Sequence, residues 1–192
     1  MDAQRKLFGV VLAGGKSRRM GQDKALLPLG GYPLFQHCLD RLAPQVEEIA
    51  ICANSSPERF APWQGRILPD HFPDQGPVAA LHAGLVWAEN AGATHLVSAP
   101  CDMPFLPKDL VARFEGHDFA VAADLARIHP TLGLWPVHLL EALESSLGAQ
   151  RLRLSDIARS LGATPVQIPT EALANLNTPE DLAAAEARWS CA

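Results

Sequence analysis

The first apolar run, Leu7–Leu12 (Leu-Phe-Gly-Val-Val-Leu), is short, continuous and β-branched at its centre, and it stops at a glycine-rich loop. A run that is apolar at successive rather than alternate positions has both faces covered, which predicts a strand in the interior of a sheet. Over 33–42 the apolar residues Leu34, Phe35, Cys38, Leu39 and Leu42 fall in a helical stripe, and 48–53 returns to a strand pattern, completing one βαβ unit. The alternation repeats as helix 77–91, strand 95–99, helix 108–114 and strand 119–123. Downstream, 131–135 and 164–168 read as strands with a helix over 137–147 between them. Thr178-Pro179-Glu180-Asp181 opens a last helix, with an N-cap Thr, Pro in the first turn and early acids. The class is α/β with a largely parallel central sheet. No repeat, low-complexity tract or linker divides the chain, so one domain over 1–192 is expected.

Composition narrows the partners. The chain is 48% hydrophobic and 19% charged, which excludes disorder, and with 6% aromatics its interior must be built from Leu, Ala and Val. A net charge of −5 gives no general attraction to nucleic acid or anionic membrane, and no apolar run has the length of a span or a signal segment. Cys38, Cys52, Cys101 and Cys191 form no C-x-x-C pair and no disulfide framework, so a reducing cytoplasm is the expected location.

The densest chemistry follows the first strand: Leu12-Ala13-Gly14-Gly15-Lys16-Ser17-Arg18-Arg19-Met20-Gly21-Gln22-Asp23-Lys24. In a parallel sheet ligands bind beyond the carboxyl ends of the strands. There Gly14 and Gly15 allow close backbone approach and unusual dihedrals, and Lys16, Arg18, Arg19 and Lys24 suit a polyanion. The same residues also suit a plain glycine turn with a solvated basic loop. Gly15-Lys16-Ser17 imitates a P-loop, but Val10 stands where that motif needs glycine, and Gly14, Gly15 and Gly21 do not form G-x-G-x-x-G. Asp102, in Pro100-Cys101-Asp102-Met103-Pro104, lies just past a strand on that edge, where one carboxylate with phosphate oxygens and water suits Mg²⁺; a helix N-cap is the alternative.

The loop resembles that of the molybdenum cofactor guanylyltransferases, the MobA family: Leu12 to Gly15, Arg19-Met20-Gly21 and Asp23-Lys24 follow its pattern. The form Leu-Ala-Gly-Gly, rather than the Leu-Ala-Ala-Gly usual in related sugar-phosphate and cytidylyl transferases, points to this family. The resemblance continues through Pro33-Leu34, Asn54, Asp70, Gly76-Pro77, Pro100 to Pro104, His129-Pro130-Thr131 and Asn175 to Asp181.

It implies a Rossmann-like three-layer nucleotidyltransferase that transfers GMP from GTP to the terminal phosphate of the molybdenum-molybdopterin cofactor. Leu12, Ala13, Gly14, Gly15, Lys24, Asn54, Asp70 and Asp102 would contact GTP, with Asp102 on Mg²⁺ and Arg19, Lys24 and Asp102 catalytic. Backbone groups near Leu12-Ala13 and the Asn54 amide suit a guanine edge, although Asn54 and Asp70 equally suit plain turn residues. His129, Arg151, Asn175 and Asn177 would face the pterin acceptor; for His129 a satisfied loop histidine, and for the asparagines a loop leading into the Thr178 cap, explain the residues as well. The remaining histidines have no ligand spacing. Molybdoenzymes or their chaperones are possible partners under this resemblance. A CTP- or sugar-phosphate-dependent transferase and a non-catalytic cofactor-delivery protein stand as alternatives.

Overall fold

The computed structural model describes residues 5–14, 23–54, 57–61, 63–72 and 74–190. In chain order these form β1 (Leu7–Leu12), a hairpin of β2 (Pro28–Leu29) and β3 (Tyr32–Pro33), α1 (Leu34–Leu42), β4 (Glu48–Cys52), β5 (Arg66–Leu68) and α2 (Gly76–Asn90). They continue with β6 (His95–Pro100), α3 (Leu110–Arg113), β7 (Ala120–Ala123), β8 (Ile128–Pro136), α4 (Leu140–Gly148), α5 (Leu154–Ser160), β9 (Thr164–Gln167) and α6 (Pro179–Trp189).

Seven strands make the main sheet in the order β5-β4-β1-β6-β8-β7-β9. Only β8 runs against its neighbours, so the expectation of a mostly parallel sheet holds. β1 pairs with β4 on one side and β6 on the other. Its side chains alternate between two cores. Phe8, Val10 and Leu12 pack with Leu81 and Leu85 of α2, Leu143 of α4 and Ile157 of α5. Val11 points the other way, to Phe35 and Leu39 of α1 and Leu110 of α3. The result is a sheet between two helical layers, which is why β1 is apolar at every position; each fully buried Leu or Phe contributes about 1.5–3 kcal/mol. A third cluster seats α6, through Leu182, Ala185 and Trp189, against Leu29, Leu34, Phe105 and Leu176.

Local signals explain most boundaries. The expected stripe of α1 is buried. Thr178 caps α6 by accepting from Asp181 N–H at 3.1 Å, while the Asp181 carboxylate accepts from Thr178 N–H at 2.9 Å, a reciprocal capping box. Elsewhere the structure corrects the expectation. The helix over 108–114 contracts to one turn because only Leu110 of that turn is buried, leaving no apolar face to hold more. The helix over 137–147 begins as a 3-10 turn, Val137–Leu139, before α4. β8 starts three residues earlier than expected, at Ile128, and β5 and α5 were not foreseen. Among the described residues no helix is long and apolar enough to cross a membrane. Cys38, Cys52 and Cys101 are buried and free, and Cys191 lies outside the described residues.

Gly133 marks where β8 is tightest. It sits opposite Ser98 of β6 and Val121 of β7, and a Cβ there would lie 2.7 Å from the backbone oxygen of Ala120. Backbone cannot swing aside as a side-chain tip does. Gly133→Ala is expected to lower stability by about 1–3 kcal/mol in urea unfolding, as overpacking of a close-packed site does.

Candidate active site

Parallel pairing brings several chain exits to one edge. Leu12 is in register with both Cys52 and Pro100, and Cys52 with Leu68, so the segments after β1, β4, β5 and β6 emerge side by side. The ladder runs one residue further: Ala13 N–H donates to Cys52 O at 2.9 Å, Ala53 N–H to Leu68 O at 2.9 Å and Cys101 N–H to Leu12 O at 3.1 Å. Gly14, Asn54, Asp70 and Asp102 are thereby placed together at the carboxyl edge, as the sequence suggested for Gly14 and Asp102. Asp102 caps no helix, since α3 begins only at Leu110.

Charge is concentrated at Asp102. Lys24 Nζ donates to Asp102 Oδ2 at 2.6 Å and to Asn177 Oδ1 at 2.8 Å. Leu176 N–H donates to the backbone oxygen of Asp102 at 3.0 Å. The segment before α6 is thus fastened to the turn after β6, and Lys24 bridges the two. The Lys24 and Asp102 side chains are only 15% and 16% exposed, so their attraction is less screened than at a free surface. Asp102 Oδ1 is buried and has no hydrogen-bond partner among the described residues; the same is true of Asn175 Oδ1. An orphaned carboxylate oxygen is what a hard cation takes as a ligand. Among the described residues no group of three or more His, Cys, Asp or Glu side chains could hold a metal, so an ion here would rest on Asp102 and on oxygens of its ligand.

Asn54 and Asp70 form a second unit. Asn54 Nδ2 donates to Asp70 Oδ2 at 2.7 Å, and Asn54 Oδ1 accepts from Asp70 N–H at 2.7 Å. Both ends of the amide therefore serve Asp70, which differs from the expectation that Asn54 offers its amide to a base. The orphan is Asp70 Oδ1, buried without a partner among the described residues. Burial raises the Asp70 pKa above the usual carboxylate value, opposed by the Asn54 hydrogen bond and by His71.

The backbone of Leu12-Ala13 is also more occupied than expected. Leu12 O receives Cys101 N–H, Ala13 N–H is used by Cys52, and Ala13 O accepts from Arg59 Nη2 at 3.0 Å; only second lone pairs of the carbonyls remain. Gly14 does not have a positive φ. Among the described residues a Cβ there would meet only Asp70 Oδ2 and Cys52 O at 3.9 Å, so their packing does not demand glycine. Gly15 and Arg19, with Lys16 and Arg18, lie outside the described residues.

The other expected acceptor residues are placed differently. His129 lies on β8, buried, with Nε2 2.8 Å from Asp124 Oδ2; a partner absent from the local sequence reading is thus present. That hydrogen bond, with those from Ala126 and Arg127 N–H, lowers the Asp124 pKa to about 2. Arg151 is exposed in the turn between α4 and α5 and makes no hydrogen bond or ion pair with the Asp102 cluster. Two contributors were missed. Asp181 accepts from Asn177 N–H at 2.8 Å and so orients the asparagine that holds Lys24; its place in the first turn of α6 was a usable signal. Arg59, whose guanidinium reaches Ala13 and pairs with Asp23, had no local signal.

Residues 9–164 match the family described as MobA-like NTP transferase domain. A molybdenum cofactor guanylyltransferase of Cereibacter sphaeroides is 50% identical over 187 residues, covering 94% of this chain and 96% of the relative. Another, of Rhodobacter capsulatus, is 44% identical over 185 residues, covering 95% and 96%. Among solved structures, molybdopterin-guanine dinucleotide biosynthesis protein A of Archaeoglobus fulgidus superposes with a TM-score of 0.78 at 20% identity, over 96% of this chain and 100% of that one. The 4-diphosphocytidyl-2C-methyl-D-erythritol synthase of Anaerococcus prevotii gives 0.76 at 13% identity, over 97% and 99%. These two structures speak to the fold alone, which is the three-layer nucleotidyltransferase fold expected. With its sequence matched along most of its length, the chain belongs to the MobA-like NTP transferase family.

Proposed function

We propose that this chain, acting as one domain in the cytoplasm, transfers GMP from GTP to the terminal phosphate of the molybdenum-molybdopterin cofactor and releases pyrophosphate. The product, a guanine dinucleotide form, would pass to molybdoenzymes or their chaperones. Identity of 44–50% to two guanylyltransferases supports the substrates. The observation that carries the chemistry is the Lys24, Asp102 and Asn177 cluster at the carboxyl edge beside Gly14.

Phosphoryl transfer of this kind needs positioning and charge neutralisation more than a protein nucleophile. An oxygen of the acceptor phosphate forms the new bond to the α-phosphorus, the bond to the β-phosphate oxygen breaks, and pyrophosphate leaves. Lys24 supplies positive charge toward the phosphates, with Arg19 as its expected companion on the leaving side. Asp102 would hold Mg²⁺ through its orphaned Oδ1, and Mg²⁺ when bound neutralises charge on the phosphate oxygens. Asp70 Oδ1, steadied by Asn54, offers an acceptor for the N1–H and N2–H₂ donors of guanine. Asn175, Asn177, His129 and Arg151 are assigned to the pterin side; Asn177 already stands next to Lys24.

Asp102→Asn, which keeps shape and removes charge, is expected to cut pyrophosphate release from GTP and cofactor by about a hundredfold or more, and chelation of Mg²⁺ to do the same in the parent protein. Near-normal turnover in Asp102→Asn at saturating Mg²⁺ contradicts the assignment. GTP is expected to raise the unfolding temperature more than CTP, ATP or UTP at equal concentration, and a preference for CTP overturns the guanine reading.

GTP affinity should also fall on acidification. The acceptor is the ionised Asp70, so its protonation removes a hydrogen bond, and because its pKa is raised the loss starts at higher pH than for an exposed aspartate. Calorimetric titration at stepped pH is expected to show this loss, and Asp70→Asn to bind weakly with a flatter pH profile.

A further inference from the structure

We infer that Arg59 is a positioning residue that ties the turn carrying Lys24 to the end of β1 and so holds the Lys24 ammonium for a triphosphate; this rests on the reading of the site given above. Arg59 lies in the 3-10 turn Pro57–Phe60 that follows β4. Its guanidinium makes two contacts of different kinds. Nη2 donates to Ala13 O at 3.0 Å, and Nη1 pairs with Asp23 Oδ2. One planar fork therefore joins the end of β1 to the residue that opens the Lys24 turn.

The two partners of Arg59 differ in what else fixes them. Ala13 is held by the sheet, through Cys52 O. Asp23 is outside the sheet, and its other carboxylate oxygen accepts from Ala25 N–H at 3.1 Å, opening the short turn Lys24–Leu26. Asp23 thus orients the turn that carries Lys24, and Arg59 ties Asp23 to β1. Fixing the Lys24 turn before a ligand arrives removes the cost of ordering it from the binding step.

The guanidinium is itself well held. It lies over the ring of Phe60, 4.4 Å from its centroid, and Phe60 is fully buried edge-on to Phe35 of α1 at 5.1 Å. The Arg59 and Asp23 side chains are 22% and 25% exposed, so the pair is partly desolvated. Arginine suits the task because its rigid fork presents donors to two acceptors at once, which a lysine ammonium on a flexible stem does not.

The test compares GTP with guanosine, which lacks phosphates, on the full chain by calorimetry. Arg59→Met keeps length and packing over Phe60 while removing the donors. It is expected to weaken GTP binding about tenfold, the scale of one charge-assisted contact, with guanosine binding little changed. Asp23→Asn, which retains an acceptor for Ala25 N–H, should give the same selective loss, and the double variant should be no worse than either single one. Equal losses for GTP and guanosine in step with a lower unfolding temperature, additive losses in the double variant, or unchanged GTP binding in Arg59→Met would each overturn this positioning role. If the parent protein prefers another base, the comparison runs with that triphosphate and its nucleoside. The guanine reading then fails while the positioning role is still tested.

Discussion

The Lys24 ammonium and the Asp102 carboxylate are both largely withdrawn from water, and neither is tolerable there without the other. Their contact fixes the position of three segments far apart in sequence: the turn after the glycine-rich loop, the exit of β6, and the approach to α6 through Asn177 and Leu176. A buried pair of this kind adds little net stability compared with apolar packing, but removing one partner leaves an uncompensated charge. Its value lies in geometry. It holds a cation and a carboxylate together at one spot on the carboxyl edge of the sheet.

That spot exists because of the sheet. Side-by-side parallel strands deliver their following segments to one edge, and β1 stands between β4 and β6 with its ladder extended past the strand ends on both sides. Rigid backbone beneath and charged side chains above give a site whose members move little relative to one another. β7 ends at the same edge and β8, the antiparallel strand, starts there, so Asp124 and His129 meet at that edge in the other half of the sheet.

What could be read from sequence depended on how local its cause was. β1 was legible because burial on both faces leaves an unbroken apolar run, and α6 because its cap is a matter of four consecutive residues. Asp102 could be placed by counting from the end of a strand. β5 could not, since its apolar part is only Ile67 and Leu68, too short for any period to show. Long-range hydrogen bonds were equally silent. Asn54 meets Asp70 across 16 positions, Arg59 meets Ala13 across 46, and Asn177 meets Lys24 across 153. The type of each side chain was visible, while the partner that occupies it was set only by the register of strands. Asn54, expected to face a ligand, has both ends of its amide hydrogen-bonded to Asp70.

The position of Asn177 has a consequence for how the protein comes into being. Every strand of the sheet precedes it in the chain, so during synthesis the layers can be assembled while Lys24 and Asp102 still lack their third member. Trp189 adds to this delay: it covers Gly30, where a Cβ would lie 2.1 Å from its indole nitrogen, so the β2 and β3 hairpin also awaits α6. A ribosome-bound chain would therefore own a folded scaffold before it owns a finished charge cluster, which closes only after α6 has docked.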